Sequence, residues 1–152
     1  MIVAAAAVAL LGGCDAPVRA QTLVPEIVSR CLARDHDTGG ALKNCTLAIQ
    51  AGRMSAELLA LMYNARGEAN CQRGDYDLAL ADQNAAIRLV PNFPQAYADR
   101  AQCHLGKQDV DAALADYATA IQLAPIPGYF RERAKIYNWK GDHEQALGVV
   151  DI

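Results

Sequence analysis

The sequence predicts an all-α protein, a solenoid in which helical hairpins pack one behind the next. Three observations support this fold class: an apolar excess made mostly of alanine, an internal repeat of 34 residues, and small residues at helical spacing inside each repeat. Hydrophobic residues make up 53% of the 152 residues, whereas aromatic residues make up only 6%. Because alanine is the strongest helix former and lets helices approach closely, this composition favours closely packed helices.

Charge and motif content exclude several classes of function. The chain has 17 acidic and 14 basic side chains and a formal net charge of −3, so it lacks the clustered basic residues that bind a phosphate backbone. It has two serines, Ser29 and Ser55, and no nucleophile elbow, phosphate-binding loop, zinc-protease or dinucleotide-binding motif. We therefore expect a non-catalytic protein with no cofactor and no nucleic-acid partner.

The N-terminal segment, residues 1–20, is predicted to be an export leader. Residues 2–11 are all apolar, but a run of ten is too short for a bilayer core, which needs ~20 residues. Two processing sites fit: Cys14 after Leu-Gly-Gly resembles a lipoprotein lipidation site with a leader of residues 1–13, and Val18-Arg19-Ala20 fits ordinary cleavage. A buried N-terminal helix is the third interpretation, weakened by the Gly-Gly-Cys-Asp-Ala-Pro stretch that ends the run.

The middle of the chain repeats itself. Residues 66–91 align with residues 100–125 at a shift of 34, with 11 of 26 pairs identical. A partial third copy follows at a shift of 33, and a divergent copy precedes at a shift of 38. The predicted units are a divergent hairpin at 22–55, full repeats at 56–93 and 94–126, and a partial repeat at 127–152, whose abrupt end suggests truncation.

Each unit contains the same elements in the same order. The first helix carries an aromatic residue and, four positions later, a small one; the second helix has an apolar stripe with alanines at its closest contacts. A turn ending in aspartate separates the helices, and that aspartate is expected to cap the second helix, as Ser55 caps a helix at 56–72. The residues concerned are the aromatics Tyr63, Tyr97 and Phe130, the turn aspartates Asp75, Asp109 and Asp142, and the closing prolines Pro91 and Pro125.

This combination of a 34-residue period, small packing residues, a turn and a closing proline resembles the tetratricopeptide repeat. The resemblance implies a right-handed superhelix of three to four repeats, with a concave groove lined by first helices that binds peptides. The groove positions in this chain are Asn64, Glu68, Asp99, Gln102, Arg131, Glu132 and Lys135.

The charge of these groove positions predicts the kind of ligand. Chaperone-binding members of the family clamp a terminal carboxylate with lysine, asparagine and arginine. In such positions this chain has instead Glu68, Asp99, Gly128 and Glu132, an acidic and incomplete set. We therefore expect a basic or neutral extended peptide, with a solvated face that binds no ligand as the alternative.

Recurring arginines and aspartates predict an ion pair. Arg66, Arg100 and Arg133 occupy one position of the first helices, while Asp82 and Asp116 recur in the second helices. We expect a structural contact between the two sets, with recognition of a ligand as the alternative.

Four cysteines lie beyond the predicted leader. Cys31 and Cys45 lie on the two helices of the divergent hairpin, so they form either a disulfide, with a contribution of ~3 kcal/mol from loop closure, or two small buried hydrophobes. Cys71 and Cys103 are expected to be free or buried thiols. No CxxC motif is present and the three histidines lie in different units, so we expect no metal site.

These features predict an exported scaffold of a bacterial cell envelope, periplasmic or lipid-anchored, that binds a protein or peptide partner. The alternative is that the repeats are the accessory part of a longer enzyme or secretion component. A further possibility is self-association through an unclosed C-terminal face formed by Ala146, Leu147 and Val150, since solenoids need a polar capping helix for solubility.

Overall fold

The computed structural model describes residues 18–33, 38–52 and 54–148, and all regular secondary structure within them is α-helical. Within these described ranges eight helices follow one another: α1 (Val18–Leu32), α2 (Thr38–Ala51), α3 (Ala56–Gln72), α4 (Tyr76–Leu89), α5 (Pro94–Gly106), α6 (Val110–Leu123), α7 (Pro127–Lys140) and α8 (His143–Gly148).

The helices form consecutive hairpins. Helix α1 pairs with α2, α3 with α4, α5 with α6, and α7 with α8, and each second helix then packs on the first helix of the following hairpin. First helices also contact one another, α1 with α3 and α3 with α5, so they lie side by side along one face. The predicted all-α solenoid of hairpins is confirmed.

Alanine fills the contacts between the helices. Within each full hairpin the two helices meet where the side chains are smallest, and several of these alanines are completely buried: Ala60, Ala79, Ala86, Ala96, Ala101, Ala113 and Ala120. At Gly67 the approach is closer still, because a Cβ atom there would lie 3.1 Å from the carbonyl oxygen of Ala79. Larger side chains would force the hairpins apart, which explains why the apolar excess of the composition is mostly alanine.

The turns inside the last three hairpins use a left-handed residue. Gly74 and Gly141 have φ angles of 84° and 79°, and Gln108 occupies the same position with a φ of 64°. A left-handed conformation is free for glycine but strained for glutamine, which accounts for glycine at two of the three positions.

Helix ends mostly follow the sequence. The Asp109 and Asp142 side chains accept hydrogen bonds from backbone N–H groups at 3.3 Å, as expected for N-caps, and Ser55 does the same for Leu58. The prediction was wrong for Asp75, whose carboxylate makes no cap and instead accepts a hydrogen bond from the Arg73 Nε. Helices α4 and α6 end two residues before the closing prolines.

Several predictions concern residues outside the described part of the chain. Residues 1–17, including Cys14, are not described, nor are the side chains of Leu147 and Val150, so the leader, the lipid anchor and the C-terminal face stay predictions. Among the described helices, none is both long and apolar enough to cross a bilayer.

Candidate functional site

The recurring arginines join the two helices of their own hairpin. Arg66 donates from Nε and Nη2 to the carboxylate of Asp82 at 2.8 and 2.7 Å, and Arg100 does the same to Asp116 at 2.8 and 2.6 Å. In each case the hydrogen bond to the carboxylate raises the pKa of the arginine, against the opposing effect of burial. The predicted arginine–aspartate contact is confirmed for these two repeats.

Each of these arginines also contacts the preceding hairpin. The third guanidinium nitrogen, Nη1, of Arg100 donates a hydrogen bond to Asn84 at 2.6 Å. The Nη1 atom of Arg66 donates to Thr46 at 3.4 Å. The guanidinium carbon of Arg100 lies 5.4 Å from the ring centroid of Tyr97, and Arg66 makes the equivalent contact in its own repeat. The arginine therefore acts as a structural cross-link, and its side chain is fully engaged.

Arg133 occupies the same position in the last hairpin but lacks these partners. Its side chain lies over the ring of Phe130 at 6.0 Å, while the buried Nε atom has no hydrogen-bond acceptor among the described residues. In the register of the repeat, the positions of the two missing acceptors hold Ala118 and Val149, neither of which can accept from a side chain. The sequence periodicity thus predicts the position of Arg133 in the repeat, but it does not predict an ion pair for this residue.

A chain of hydrogen bonds runs across the stacked first helices. The Tyr129 hydroxyl donates to Gln95 Oε1 at 3.0 Å, Gln95 Nε2 donates to Asp99 Oδ1 at 2.7 Å, and Asn64 Nδ2 donates to Asp99 Oδ2 at 2.7 Å. The pKa of Tyr129 is raised by burial and by the nearby carboxylate of Asp99. These contacts connect α3, α5 and α7 on the face that the first helices share.

Two cavities lie on this face, one on each side of Glu68. The first, of about 370 Å³, is bounded by α1, α2, α3 and the start of α5, and the second, of about 220 Å³, by α3, α4 and α5. Glu68 and Gln72 line both. We call the two cavities together the groove. Its other walls are formed by Cys31, Leu32, Ala33, Thr38, Ala41, Leu61, Asn64, Ala65, Ala69, Phe93 and Gln95 in the first cavity, and by Cys71, Tyr76, Asp99, Gln102 and Gly106 in the second.

The groove positions expected from the sequence divide into three groups. Asn64 and Asp99 line the cavities but are only 6% and 7% exposed, because they bond to each other. Glu68 is half-buried and Gln102 is exposed, and both line the groove.

The remaining expected positions lie on α7 and line neither cavity. Arg131 and Lys135 are exposed there, and the Lys135 ammonium is paired with Glu132 at 2.8 Å.

The four described cysteines are joined in pairs. One disulfide links Cys31 and Cys45 across the α1–α2 hairpin, with Cα atoms 4.7 Å apart. A second links Cys71 of α3 to Cys103 of α5, with Cα atoms 5.6 Å apart, so these residues are not the free thiols that we expected. Their separation of 32 residues, close to one repeat period, is the signal that places them on neighbouring first helices.

Within the described part of the chain, no group of histidine, cysteine and carboxylate side chains could hold a metal ion. The side chains that line the groove are amides, one carboxylate within reach of solvent, the hydroxyl groups of Thr38 and Tyr76, and apolar groups. Such a set suits the binding of a polar, extended ligand and contains no nucleophile paired with a base.

Solved structures match most of the chain. A crystal structure of MamA superposes with a TM-score of 0.71 at 19% identity, covering 86% of this chain and 74% of that one. The first repeat domain of Spaghetti (RPAP3), bound to the HSP90 peptide SRMEEVD, gives a TM-score of 0.67 at 18% identity, covering 81% and 97%. The chain has the tetratricopeptide-repeat fold. An NMR structure of the first tetratricopeptide domain of human RPAP3 agrees, with a TM-score of 0.67 at 20% identity, covering 82% and 94%.

At the level of sequence, no protein-family model matches the chain, and no curated protein matches it significantly. The tetratricopeptide fold is nevertheless clear, because its contacts recur at the repeat period. The groove contacts join residues separated by 35 positions, Asn64 and Asp99, and by 34 positions, Gln95 and Tyr129. Polar side chains about one period apart therefore indicate which residues lie side by side on neighbouring first helices, but not that these residues bond to each other.

Proposed function

We propose that this chain is a non-catalytic protein-interaction module whose groove binds an extended peptide segment of a partner protein. The observation that carries the proposal is the groove itself, two cavities along the stacked first helices that share Glu68 and Gln72 in their walls. Side chains behind the groove are fixed by hydrogen bonds between α3, α5 and α7, which favours binding without a large entropic loss. The structurally similar RPAP3 domain, which was solved with an HSP90 peptide bound, supports the proposal that this groove also binds a peptide.

The groove differs in charge from one that would hold that peptide. The sequence SRMEEVD contains three acidic residues and one basic residue. In this chain no basic side chain is among the described residues that line the groove, and Glu68 lies where the two cavities meet. Like charges at an interface cost affinity, so we expect a different class of peptide here.

Peptide binding can be tested with two leucines that are both exposed. Leu61 on α3 is 40% exposed and lines the first cavity, while Leu78 on α4 is 61% exposed and lines neither. Random dodecapeptides displayed on phage would be selected against the wild-type chain, then screened against Leu61→Arg and Leu78→Arg. Peptides retained by Leu78→Arg and lost by Leu61→Arg support the proposal, and a failure to recover any peptide that depends on Leu61 overturns it.

We also propose that the protein is exported to a bacterial cell envelope. The apolar run at residues 2–11 supports this, as do two disulfides in a chain of this size, because disulfides persist in oxidising compartments. Cell fractionation with a Cys14→Ser variant distinguishes the two leaders. A lipid-anchored protein leaves the membrane fraction on this substitution, and a soluble exported protein does not change its fraction.

A further inference from the structure

Hydrogen bonding to Asp99 uses the amide donors of Asn64 and Gln95 and leaves an acceptor of Asn64 over. Since a carboxylate only accepts, both Asn64 and Gln95 must turn their NH₂ groups toward Asp99, and the carbonyl oxygen of Gln95 is taken by Tyr129. This fixes the orientation of Asn64 and leaves its Oδ1 atom buried, with no hydrogen-bond partner among the described residues. The residue lines the first cavity and is 6% exposed. A buried acceptor without a partner is costly, so it favours a ligand that brings a donor.

The charge of the groove also favours a ligand that brings donors, in this case cationic ones. Glu68 belongs to both cavities, and the described lining residues of the two cavities include no lysine or arginine. Its carboxylate accepts one long hydrogen bond, of 3.5 Å, from Gln72 Nε2, which leaves room for a further donor. The neighbouring Arg66 and Arg100 are bound to carboxylates of the second helices. Among the described residues that line the groove, Glu68 is therefore the charged side chain within reach of solvent, and its charge is negative.

The walls of the first cavity are apolar beside this carboxylate. Leu61, Ala65 and Phe93 line it, and Leu61 is 40% exposed. A volume of about 370 Å³ accommodates a side chain of a peptide but not a folded element. An apolar side chain placed there would be flanked directly by Glu68 and by the acceptor of Asn64.

We propose that the groove selects an extended, basic protein segment in which an apolar side chain fills the first cavity and a neighbouring lysine or arginine reaches Glu68. This inference rests on the proposed peptide-binding function and specifies its ligand. Backbone N–H groups of the segment supply the donor for Asn64 Oδ1. A cationic side chain that pairs with a half-buried carboxylate gains from the low local dielectric, and the surrounding acceptors discriminate against acidic segments.

Three synthetic peptides test the proposal directly. Each is a fluorescein-labelled dodecapeptide of alternating leucine and a second residue, which is lysine, acetyl-lysine or glutamate, and binding to the full chain is followed by anisotropy at about 50 mM salt. We expect the lysine peptide to bind at least about tenfold more tightly than the acetyl-lysine peptide, and the glutamate peptide to bind weakest. Equal or tighter binding of either control peptide overturns the proposal.

Matched variants locate the effect at Glu68. The substitution Glu68→Gln removes the charge while keeping the shape, so the lysine peptide should lose about tenfold in affinity and the acetyl-lysine peptide should be unaffected. Glu144→Gln on α8 is the charge-matched control, because Glu144 is exposed and lines neither cavity. An unchanged affinity of Glu68→Gln, or an equal loss in both variants, contradicts the assignment. Displacement of the lysine peptide by spermidine at an equal concentration would also contradict it, since spermidine has no apolar side chain.

The phage selection separates this inference from the proposed function. Recovered peptides that require Leu61 but are acidic or uncharged would leave peptide binding intact and overturn the basic ligand. Recovery of no peptide that requires Leu61 would overturn both. Enrichment of lysine or arginine next to an apolar residue, lost in Glu68→Gln, is the result that we expect.

Discussion

Arg100 and Asp116 form a bidentate pair that joins α5 to α6, with hydrogen bonds of 2.8 and 2.6 Å. The side chain of Asp116 is 8% exposed and that of Arg100 is 21% exposed, so the pair is largely removed from water. The guanidinium also donates to Asn84 of the preceding hairpin at 2.6 Å. One side chain therefore connects three helices, and its loss would leave a buried carboxylate without a counter-ion.

Replacing Arg100 by alanine should destabilise the protein far more than the same change at Arg133. We expect the free energy of unfolding to fall by about 2–3 kcal/mol for Arg100→Ala, below the value for a fully buried pair because the guanidinium is partly solvated. For Arg133→Ala we expect a loss below about 1 kcal/mol, since its Nε has no acceptor among the described residues. Urea unfolding followed by circular dichroism measures both.

A double-mutant cycle with Asp116→Ala provides the control. If Arg100 and Asp116 stabilise the fold by contacting each other, the double variant should lose less free energy of unfolding than the two single variants lose together. We expect a difference, the coupling energy, of about 1 kcal/mol or more. A coupling energy near zero would mean that packing of the arginine stem, and not the ion pair, explains the loss.

The last hairpin can be given the contact that it lacks. Asn84 accepts from Arg100, and Ala118 occupies the same position one period later, opposite Arg133. We expect Ala118→Asn to raise the free energy of unfolding by about 1 kcal/mol, because a hydrogen bond to a charged donor outweighs the lower helix propensity of asparagine. Thermal unfolding should show the gain only while Arg133 is present. Ala115→Asn, an exposed position on the same helix, should lower the stability slightly.

Both disulfides should contribute to stability, the longer loop by slightly more. The chain-entropy model gives about 3 kcal/mol for the loop between Cys31 and Cys45 and about 3.7 kcal/mol for that between Cys71 and Cys103. We expect the Cys71→Ala variant to melt at a lower temperature than Cys31→Ala. Iodoacetamide labelling of the unfolded, unreduced wild type, followed by peptide mass spectrometry, should leave all four unmodified. Modification of Cys71 and Cys103 together would contradict the second pairing.

Much of this fold was predictable because its contacts repeat. Packing of two helices depends on small residues at fixed spacing, and the 34-residue period displays these positions twice in full. The contact of Arg100 with Asp116 was predictable for the same reason, since both residues recur in the preceding repeat as Arg66 and Asp82. Repetition in a solenoid therefore reveals which side chains face one another, even without homologous sequences.

The groove was less predictable because its contacts occur once. Asn64 donates a hydrogen bond to Asp99. One period after Asn64 the sequence has Ala98, which has no polar side chain, so the next repeat cannot form the same bond. A sequence pattern cannot show whether a polar residue on a first helix reaches solvent or bonds to its neighbour. That choice depends on side chains of two successive repeats, and here it buries two of the residues expected at the surface.

Tyr117 should make the stability of the protein fall at alkaline pH. Its side chain is 1% exposed, and burial, assisted by the negative charge of Glu132, raises its pKa to about 12 from an ordinary value near 10. A raised pKa in the folded state means that the native protein holds the phenol proton more tightly than the unfolded chain does. The resulting contribution of Tyr117 to the free energy of unfolding is fully present below pH 10 and is lost as the pH rises toward 12.

The variant Tyr117→Phe isolates this effect, since it removes the ionisable hydroxyl and keeps the ring in the core. Between pH 9 and pH 11.5 we expect the wild type to lose about 2 kcal/mol more of its free energy of unfolding than the variant loses. Urea unfolding at the two pH values measures the difference. Tyr137→Phe on α7 serves as the control, because the Tyr137 side chain is half-buried and not enclosed in the core. Parallel losses in wild type and Tyr117→Phe would show that the hydroxyl ionises equally in the folded and unfolded states.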